Sequence, residues 1–371
     1  MRLLSRRQFI AWLLASGASV WANAACAPSQ PKPVAPAPPP TEAKTSVPGL
    51  AGATIVEPPH GRLTAPPEPG RITPTDKFYV LKYSSALPAV DLSRWGVQVA
   101  GLVERTLTLT WNDVKARPQI EAMRTLECIS NPAGGGLIGN ATWQGISLRD
   151  LLAEVGIQPA ARFVTLEGQD EYFTTVPLER ALDERSLLVH QMNGQLLPPE
   201  HGFPLRVLLP GVYGQKQPKW ISRILVSDQN EKGPWEQKGW SNTAAIKVNS
   251  RIETPGAPGR DEQIKVGQRV LIAGMAFAGL SGIRRVEAST DRGQSWVEAT
   301  LAPGPSPFEK TTWTGWHARW MPTQAGRHLI QARAMDGDGN QQGDEQGQGI
   351  LAGVFPDGTS AIHQIQVSVI A

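Results

Sequence analysis

The sequence consists largely of short apolar segments separated by turn-forming residues, and this pattern limits the fold more than any other feature. Its 371 residues include 37 glycines and 32 prolines, which favour turns and end helices. From about residue 244 onward the segments are short and strand-like, as in Ile283–Ser289 and Ile362–Val369. We therefore predict six or seven short strands there, and an all-β immunoglobulin-like sandwich over residues 239–371.

The preceding region, residues 70–238, mixes strands and helices without regular alternation, which predicts an α+β domain. The clearest helix lies between Ser147 and Gly156, because its apolar residues have a helical period, a serine N-cap and a terminal glycine. Hydrophobic residues make up 40% of the chain and charged residues 19%, so a disordered polyelectrolyte is excluded. The formal net charge of +3 is too small to indicate nucleic-acid binding.

The N-terminus has the features of an export signal. Ser5–Arg6–Arg7–Gln8–Phe9 matches the twin-arginine pattern, and the apolar stretch that follows is too short for a membrane span. Ala24–Ala25–Cys26 resembles a lipoprotein signal, but Asn23 replaces the usual aliphatic residue, so lipidation at Cys26 and simple cleavage nearby both remain open. We predict a signal over residues 1–26, a proline-rich linker over 27–69, and a periplasmic or cell-surface protein with or without a lipid anchor.

Cys128 is the one cysteine outside the predicted signal. With two cysteines in the whole sequence, a disulfide framework and a four-cysteine zinc or iron–sulfur site are excluded. A predicted strand ends at Cys128, and a loop containing Gly134, Gly135 and Gly136 follows. A lone cysteine is usually an inert buried residue, but this position also suits a metal-binding thiolate or a nucleophile.

A second group of candidate site residues is basic. His201, Arg206, Lys216 and Lys219 lie within nineteen residues of each other, among glycines. Arginine offers forked hydrogen bonds to anions, lysine offers a point charge, and the main chain at 214–216 offers further donors. An anion site and a solvated charged loop both fit this pattern. The spacing of a phosphate-binding Walker loop or a dinucleotide fingerprint is absent.

Together the two groups resemble the sulfite oxidase family of molybdopterin enzymes. The first match runs from Thr125–Leu–Glu–Cys128 through the glycine-rich loop to Trp143, and the second from Asn193–Gly194 through His201 to Lys219–Trp220. Residues 279–296 resemble the family's dimerisation domain, and the resemblance covers about residues 72–368. It implies a sulfite-oxidase-type α+β molybdopterin-binding domain over 70–238, followed by an all-β immunoglobulin-like dimerisation domain in a homodimer.

The resemblance also implies a molybdenum–molybdopterin cofactor and assigns roles to particular residues. Cys128 would supply a thiolate to molybdenum, and Arg206, Lys216 and Lys219 would hold the cofactor phosphate. Trp143 would wall the substrate funnel, and Lys82 is a further candidate beside the substrate. The remaining contacts to the cofactor would come from Tyr79, Asp170, His201, Gln217 and Pro218.

The substrate is less clear than the cofactor. Sulfite oxidases typically carry Arg-Asn-His and Asn-Arg-Arg where this chain has Leu81–Lys82–Tyr83 and Asn131–Pro132–Ala133, so charge-assisted contacts to sulfite are missing. We expect two-electron oxygen-atom transfer on a small substrate. A sulfoxide-type reductase and a non-catalytic cell-surface scaffold are the alternatives. Since there is no Cys-x-x-Cys-His haem motif, we expect electrons to pass to or from a separate carrier such as a cytochrome.

Overall fold

The structure is a computed structural model that describes residues 63–256, 263–343 and 353–371. The predicted export signal, Cys26 and most of the predicted linker therefore lie outside the described residues. Within these ranges no helix is both long enough and apolar enough to cross a membrane.

Strands dominate the described residues. The strands of the first half are β1 (Gly96–Gly101), β2 (Leu107–Thr110), β3 (Ile120–Glu127), β4 (Ile138–Ser147), β5 (Phe163–Gly168), β6 (Phe173–Pro177), β7 (Leu187–Met192), β8 (Gln195–Leu196), β9 (Arg206–Leu208) and β10 (Ile221–Ser227). Those of the second half are β11 (Asn249–Thr254), β12 (Gln263–Lys265), β13 (Val270–Phe277), β14 (Ile283–Ser289), β15 (Val297–Glu298), β16 (Thr300–Ala302), β17 (Thr314–Trp320), β18 (Gly326–Asp336) and β19 (His363–Ile370).

The helices are few and short. The α-helices are α1 (Trp111–Ala116), α2 (Leu148–Val155), α3 (Leu178–Ala181) and α4 (Pro234–Gln237), and 3-10 turns occur at Thr75–Lys77, Pro199–His201, Gly214–Lys216 and Gly279–Ser281. The predicted helix after Ser147 is confirmed as α2: the Ser147 side chain accepts from the Asp150 amide, and Gly156 ends the helix at φ +69°. The predicted α+β domain contains less helix than expected, because the first half consists mostly of strands.

The first half contains two sheets. One has the strand order β2-β1-β10-β5-β6, with β1 parallel to β10, and the other has the order β3-β4-β7-β8, with β9 paired to β7. α2 inserts Leu148, Leu151, Leu152 and Val155 into the largest core of this half. The second sheet has its own core, which includes Phe78 and Trp143. The helix and the two sheets thus form the rigid support on which the loops at the strand ends are displayed.

The second half is a two-sheet arrangement of strands, as predicted. The sheets have the orders β11-β13-β17-β16 and β12-β19-β18-β14-β15, and they share a core that includes Ile272, Val286, Trp316 and Ile330. The predicted all-β character is therefore confirmed for the described residues. The finer immunoglobulin-like topology and the domain boundary at 238/239 stay predictions.

The second half also braces β3, the strand that leads to Cys128. The Thr125 amide donates to the Thr311 carbonyl at 2.9 Å, and the Trp313 amide donates to Thr125 Oγ1 at 2.9 Å. At the end of the strand, Asn249 Nδ2 donates to Glu127 Oε2 at 3.0 Å. The position of Cys128 therefore depends on contacts from both halves of the chain.

Candidate active site

A cleft that is open to solvent lies at the end of β3, with about 900 Å³ of space when the solvent at its opening is counted. The structure brings together nine of the eleven residues that the sequence assigned to the site, although they come from segments up to 140 positions apart. Those that line the cleft are Tyr79, Lys82, Cys128, Asp170, His201, Arg206, Gln217, Pro218 and Lys219.

Cys128 follows directly after β3, and its amide donates to the Leu137 carbonyl at 2.9 Å. Its Sγ lies 3.1 Å from Ser130 Oγ and faces the cleft. Burial raises the pKa of the thiol above its ordinary value, with the charge of Glu127 acting in the same direction and Ser130 acting against it. A bound metal ion would displace this proton, since coordinating thiols are deprotonated.

Arg206 and Lys219 place two buried cations beside the cleft. Gly202, at φ +108°, makes their approach feasible, because a Cβ there would lie 3.0 Å from Lys219 Cβ and 3.1 Å from Arg206 Cβ. Arg206 Nη1 donates to the His201 carbonyl at 3.2 Å, and its Nε is buried without a hydrogen-bond partner. Lys219 Nζ donates to the carbonyls of Leu81 at 2.7 Å and Glu200 at 2.8 Å.

The electrostatics of these two cations favour an anionic ligand. Burial lowers the pKa of Arg206 to about 10, and burial together with the charge of Arg206 lowers the pKa of Lys219 to about 7. No carboxylate of the described residues lies within ion-pair distance of either side chain. Buried charges are normally paired with an opposite charge, so the phosphate of a ligand would supply the counter-charge that Arg206 and Lys219 lack.

The polar groups around these cations are held in defined protonation states. Burial, reinforced by Arg206 and Lys219, lowers the pKa of His201 to about 3, so its ring is neutral at physiological pH. Burial raises the pKa of Tyr79 well above its ordinary value, so this phenol remains a donor. Burial also raises the pKa of Asp170, whose Oδ1 accepts from the Tyr172 amide at 3.4 Å.

Two of the predicted site residues do not line the cleft. The ammonium of Lys216 is buried, pairs with Glu236 and donates to Thr174 Oγ1 at 3.0 Å, so this side chain is engaged inside the protein, and its contact to the phosphate stays a prediction. Trp143 is 1% exposed and lies behind the cleft, where the Arg206 guanidinium stands 5.4 Å from its ring centroid. It supports Arg206 and does not wall the cleft.

Eleven lining residues were missed in the sequence, and five of them are aromatic. They include Tyr83, Tyr172, Trp235 and Trp240. Twelve tryptophans against eight phenylalanines indicated aromatic packing at fixed places, but no spacing pattern showed where. Trp235 comes from the four-residue helix α4 and the other three from loops, all too short or irregular for hydrophobic periodicity to give information.

Comparison with known proteins gives consistent matches along the chain. Residues 84–235 match the family model of the oxidoreductase molybdopterin binding domain, and residues 241–367 match that of the Mo-co oxidoreductase dimerisation domain. Mitochondrial sulfite oxidase of Drosophila melanogaster is 30% identical over 350 residues, which cover 80% of this chain and 59% of the fly protein. Sulfite oxidase of Gallus gallus is 30% identical over 315 residues, covering 74% of this chain and 68% of that protein.

A solved structure supports the fold. The sulfane dehydrogenase SoxCD from Paracoccus pantotrophus superimposes with a TM-score of 0.71 and 23% sequence identity, over 88% of this chain and 87% of that chain. At this identity the likeness concerns the fold alone. The chain spans about three fifths of the length of the fly relative, so the activity of that whole protein is not transferred by the match.

Proposed function

The chain belongs to the sulfite oxidase family of molybdopterin-dependent oxidoreductases, and from this premise we propose that it is an exported enzyme that performs two-electron oxygen-atom transfer on a small substrate. The observation that carries the proposal is the cleft in which the Cys128 thiol and two buried cations without carboxylate partners, Arg206 and Lys219, face the same space.

The residues present fit a molybdenum–molybdopterin cofactor. Arg206 offers an orphaned buried Nε, Lys219 a buried ammonium, and Cys128 a soft sulfur ligand of the kind that suits such a metal. Arg206 and Lys219 would hold the phosphate, Cys128 the metal, and the main chain of Gln217 and Pro218 would contribute further contacts. The Gln217 side chain is already committed to the amide of Leu209 and the carbonyl of Val212.

When bound, the cofactor supplies the two-electron redox chemistry. The chain's own residues would bind and orient it in the cleft. His201, being neutral, offers one donor and one acceptor nitrogen without adding charge. Tyr79 keeps its proton and lies against Gly214, whose added Cβ would stand 3.3 Å from the phenol oxygen. Asp170 and Tyr172 also line the cleft.

The partners and location are part of the proposal. The dimerisation-domain match over residues 241–367 supports a homodimer formed through the sandwich, for which the immunoglobulin-like topology is the proposed form. The twin-arginine pattern supports export with the cofactor already loaded, and Cys26 supports a lipid anchor. The missing haem motif supports a separate electron carrier such as a cytochrome.

Reduction of a sulfoxide on the same centre is a second candidate. It is favoured by the aromatic residues that line the cleft and by Leu81–Lys82–Tyr83 and Asn131–Pro132–Ala133, which provide no arginine. Both candidates require the same cofactor and differ in the direction of electron flow.

Metal content and the Cys128→Ser variant test the proposal. We expect about one molybdenum per chain in protein expressed with its export signal, because the single thiolate of Cys128 serves one metal centre. Elemental analysis and turnover with a redox dye are the measurements. Cys128→Ser should abolish turnover in a folded protein, whereas Cys26→Ser, the matched change at the other cysteine, should retain it.

Two results would contradict this function. One is a folded, fully matured preparation without molybdenum, which would favour a non-catalytic scaffold. The other is a Cys128→Ser protein with the turnover of the parent.

A further inference from the structure

The cleft is lined by two groups of side chains that differ in chemistry. One group is basic and consists of Arg206, Lys219 and Lys82. The other group is aromatic and includes Tyr172. Cys128 lines the same cleft, so a substrate beside its sulfur would meet side chains of both kinds.

Three of the aromatic residues form a continuous aromatic wall, which we define as Tyr172, Tyr83 and Trp235. The ring centroids of Tyr172 and Tyr83 are 5.5 Å apart, and those of Tyr83 and Trp235 are 6.0 Å apart at an interplanar angle of 84°. Tyr172 is 7% exposed and Tyr83 is 39% exposed. The wall therefore leads from the interior beside Cys128 to the surface.

Two members of the aromatic wall, Tyr172 and Trp235, are held in place by buried contacts of their own or of a neighbouring residue. The Tyr172 hydroxyl donates to the Gln215 carbonyl at 2.5 Å. Trp235 lies on α4 beside Glu236, which is buried, pairs with Lys216 and accepts from Thr174 Oγ1 at 2.9 Å. Rings fixed in advance lose little entropy when they bind a ligand, so this wall is suited to stacking.

The charges around the wall exclude other classes of ligand. Lys238 Nζ already lies 4.6 Å from the Trp235 ring centroid and 5.8 Å from that of Tyr83, so a cationic ligand would be repelled. An anion against these rings would lose its hydration, and the ammonium of Lys238 is exposed, so its attraction for the anion is screened by solvent. Arg206 and Lys219 are not available to an anionic substrate, because the proposed function assigns them to the cofactor phosphate.

We propose that the substrate of this site is an uncharged molecule whose reacting atom is attached to a ring or other flat apolar group, and that the aromatic wall binds that group. The inference rests on the proposed function, since it takes Cys128 as the metal ligand. By this inference, Tyr83 and Trp235 determine which substrates the site binds. Small oxoanions such as sulfite are poor ligands of this site by the same argument.

Binding of two redox-inert probes to the oxidised holoenzyme tests the inference. Methyl phenyl sulfone is uncharged and carries a ring, whereas sulfate is a small oxoanion. Isothermal titration should give tighter binding of the sulfone. Trp235→Leu and Tyr83→Leu should each raise the sulfone Kd by about 3- to 10-fold, the contribution of one aromatic contact, and leave sulfate binding unchanged.

Trp296→Leu is the matched control, because this tryptophan lies on the sandwich under Arg333, 4.0 Å from its ring centroid, and does not line the cleft. It should leave both Kd values unchanged. Tyr83 is exposed enough that its variant should fold even if Trp235→Leu does not. Circular dichroism checks both proteins.

Equal or tighter binding of sulfate, or a sulfone Kd that neither variant changes, would overturn the inference. The molybdenum content of the same sample shows whether such a result contradicts the inference or the proposed function. Metal-loaded enzyme that prefers sulfate contradicts the inference alone, and protein that lacks molybdenum contradicts the proposed function.

Discussion

Lys219 is a side chain whose pKa is lowered both by burial and by the neighbouring cations, which outweigh the nearby carboxylates. Burial lowers its pKa first, and Arg206 and Lys82 lower it further, to about 7. The unfolded chain keeps the ordinary lysine pKa near 10.4, so between these values the unfolded state binds more protons. The contribution of Lys219 should therefore raise the free energy of unfolding of the cofactor-free protein as the pH increases from about 7 towards 10.

The protonation of Lys219 should also control anion binding. Sulfate keeps its charge between pH 6 and 9, so any change in its affinity for cofactor-free protein reports on the protein. We expect sulfate to bind more weakly at pH 9 than at pH 6, because Lys219 loses its charge near pH 7. Isothermal titration at several pH values measures this. In Lys219→Arg, where the charge is permanent, the affinity should vary much less; an equally steep decrease there would assign the effect to another group.

At the scale of secondary-structure elements, the Lys216–Glu236 pair joins three pieces of the chain. Lys216 ends the 3-10 turn Gly214–Lys216, Glu236 lies in α4, and Thr174 of β6 bonds to both side chains. The side chains of Lys216 and Glu236 are 3% and 1% exposed. The pair therefore holds the main chain under the cofactor site and the Trp235 side of the cleft in one arrangement.

Removal of one partner of the Lys216–Glu236 pair should destabilise the folded protein strongly. Glu236→Gln leaves the Lys216 ammonium buried without its counter-charge, and we expect a loss of about 3–5 kcal/mol in the free energy of unfolding. Urea denaturation measures the loss. The double variant Lys216→Met/Glu236→Leu should recover part of it, because no buried charge remains. Asp76→Asn, which breaks the exposed Lys77–Asp76 pair, should have little effect. An equally small loss in Glu236→Gln would contradict the role given to the pair.

At the scale of the whole molecule, the loop after Cys128 rests on the second half of the chain. Arg251 Nη1 donates to the Gly135 carbonyl at 3.1 Å, and the His363 ring lies against Gly134. The same ring accepts at Nδ1 from the Ile252 amide at 2.9 Å. Burial lowers the pKa of His363 to about 4, so it packs there as a neutral group. The second half of the chain thus helps to fix the position of Cys128, the proposed metal ligand.

Gly134→Ala tests this contact. Gly134 has φ +74°, and an added Cβ would overlap the His363 ring. Gly194→Ala is the matched control, because Gly194 has φ +76° and no atom lies within 4 Å of an added Cβ. Both variants carry the same backbone penalty of about 1 kcal/mol. We expect a clearly lower Tm and molybdenum content for Gly134→Ala. Equal values for the two variants would show that the loop does not depend on the sandwich.

The sequence by itself determined the features that depend on chain neighbours. Serine and glycine at the ends of α2 were readable because capping is local, and alternation predicted the strands of the second half for the same reason. The positions of Cys128, Arg206 and Lys219 were recognisable because their segments retain family patterns that cover almost the whole mature chain. The absence of arginine at residues 81–83 and 131–133 was also visible in the sequence alone.

Only the tertiary structure decided which side chains meet. Lys216 and Lys219 lie three residues apart and look equivalent in the sequence, but the 3-10 turn directs Lys216 into the interior, while Lys219 lies beside Gly202 at the cleft. Tyr83, Tyr172 and Trp235 come from three distant segments and carry no common pattern. Their contact follows from long-range packing of sheets and loops, in which burial and electrostatics are set by residues far away in the chain.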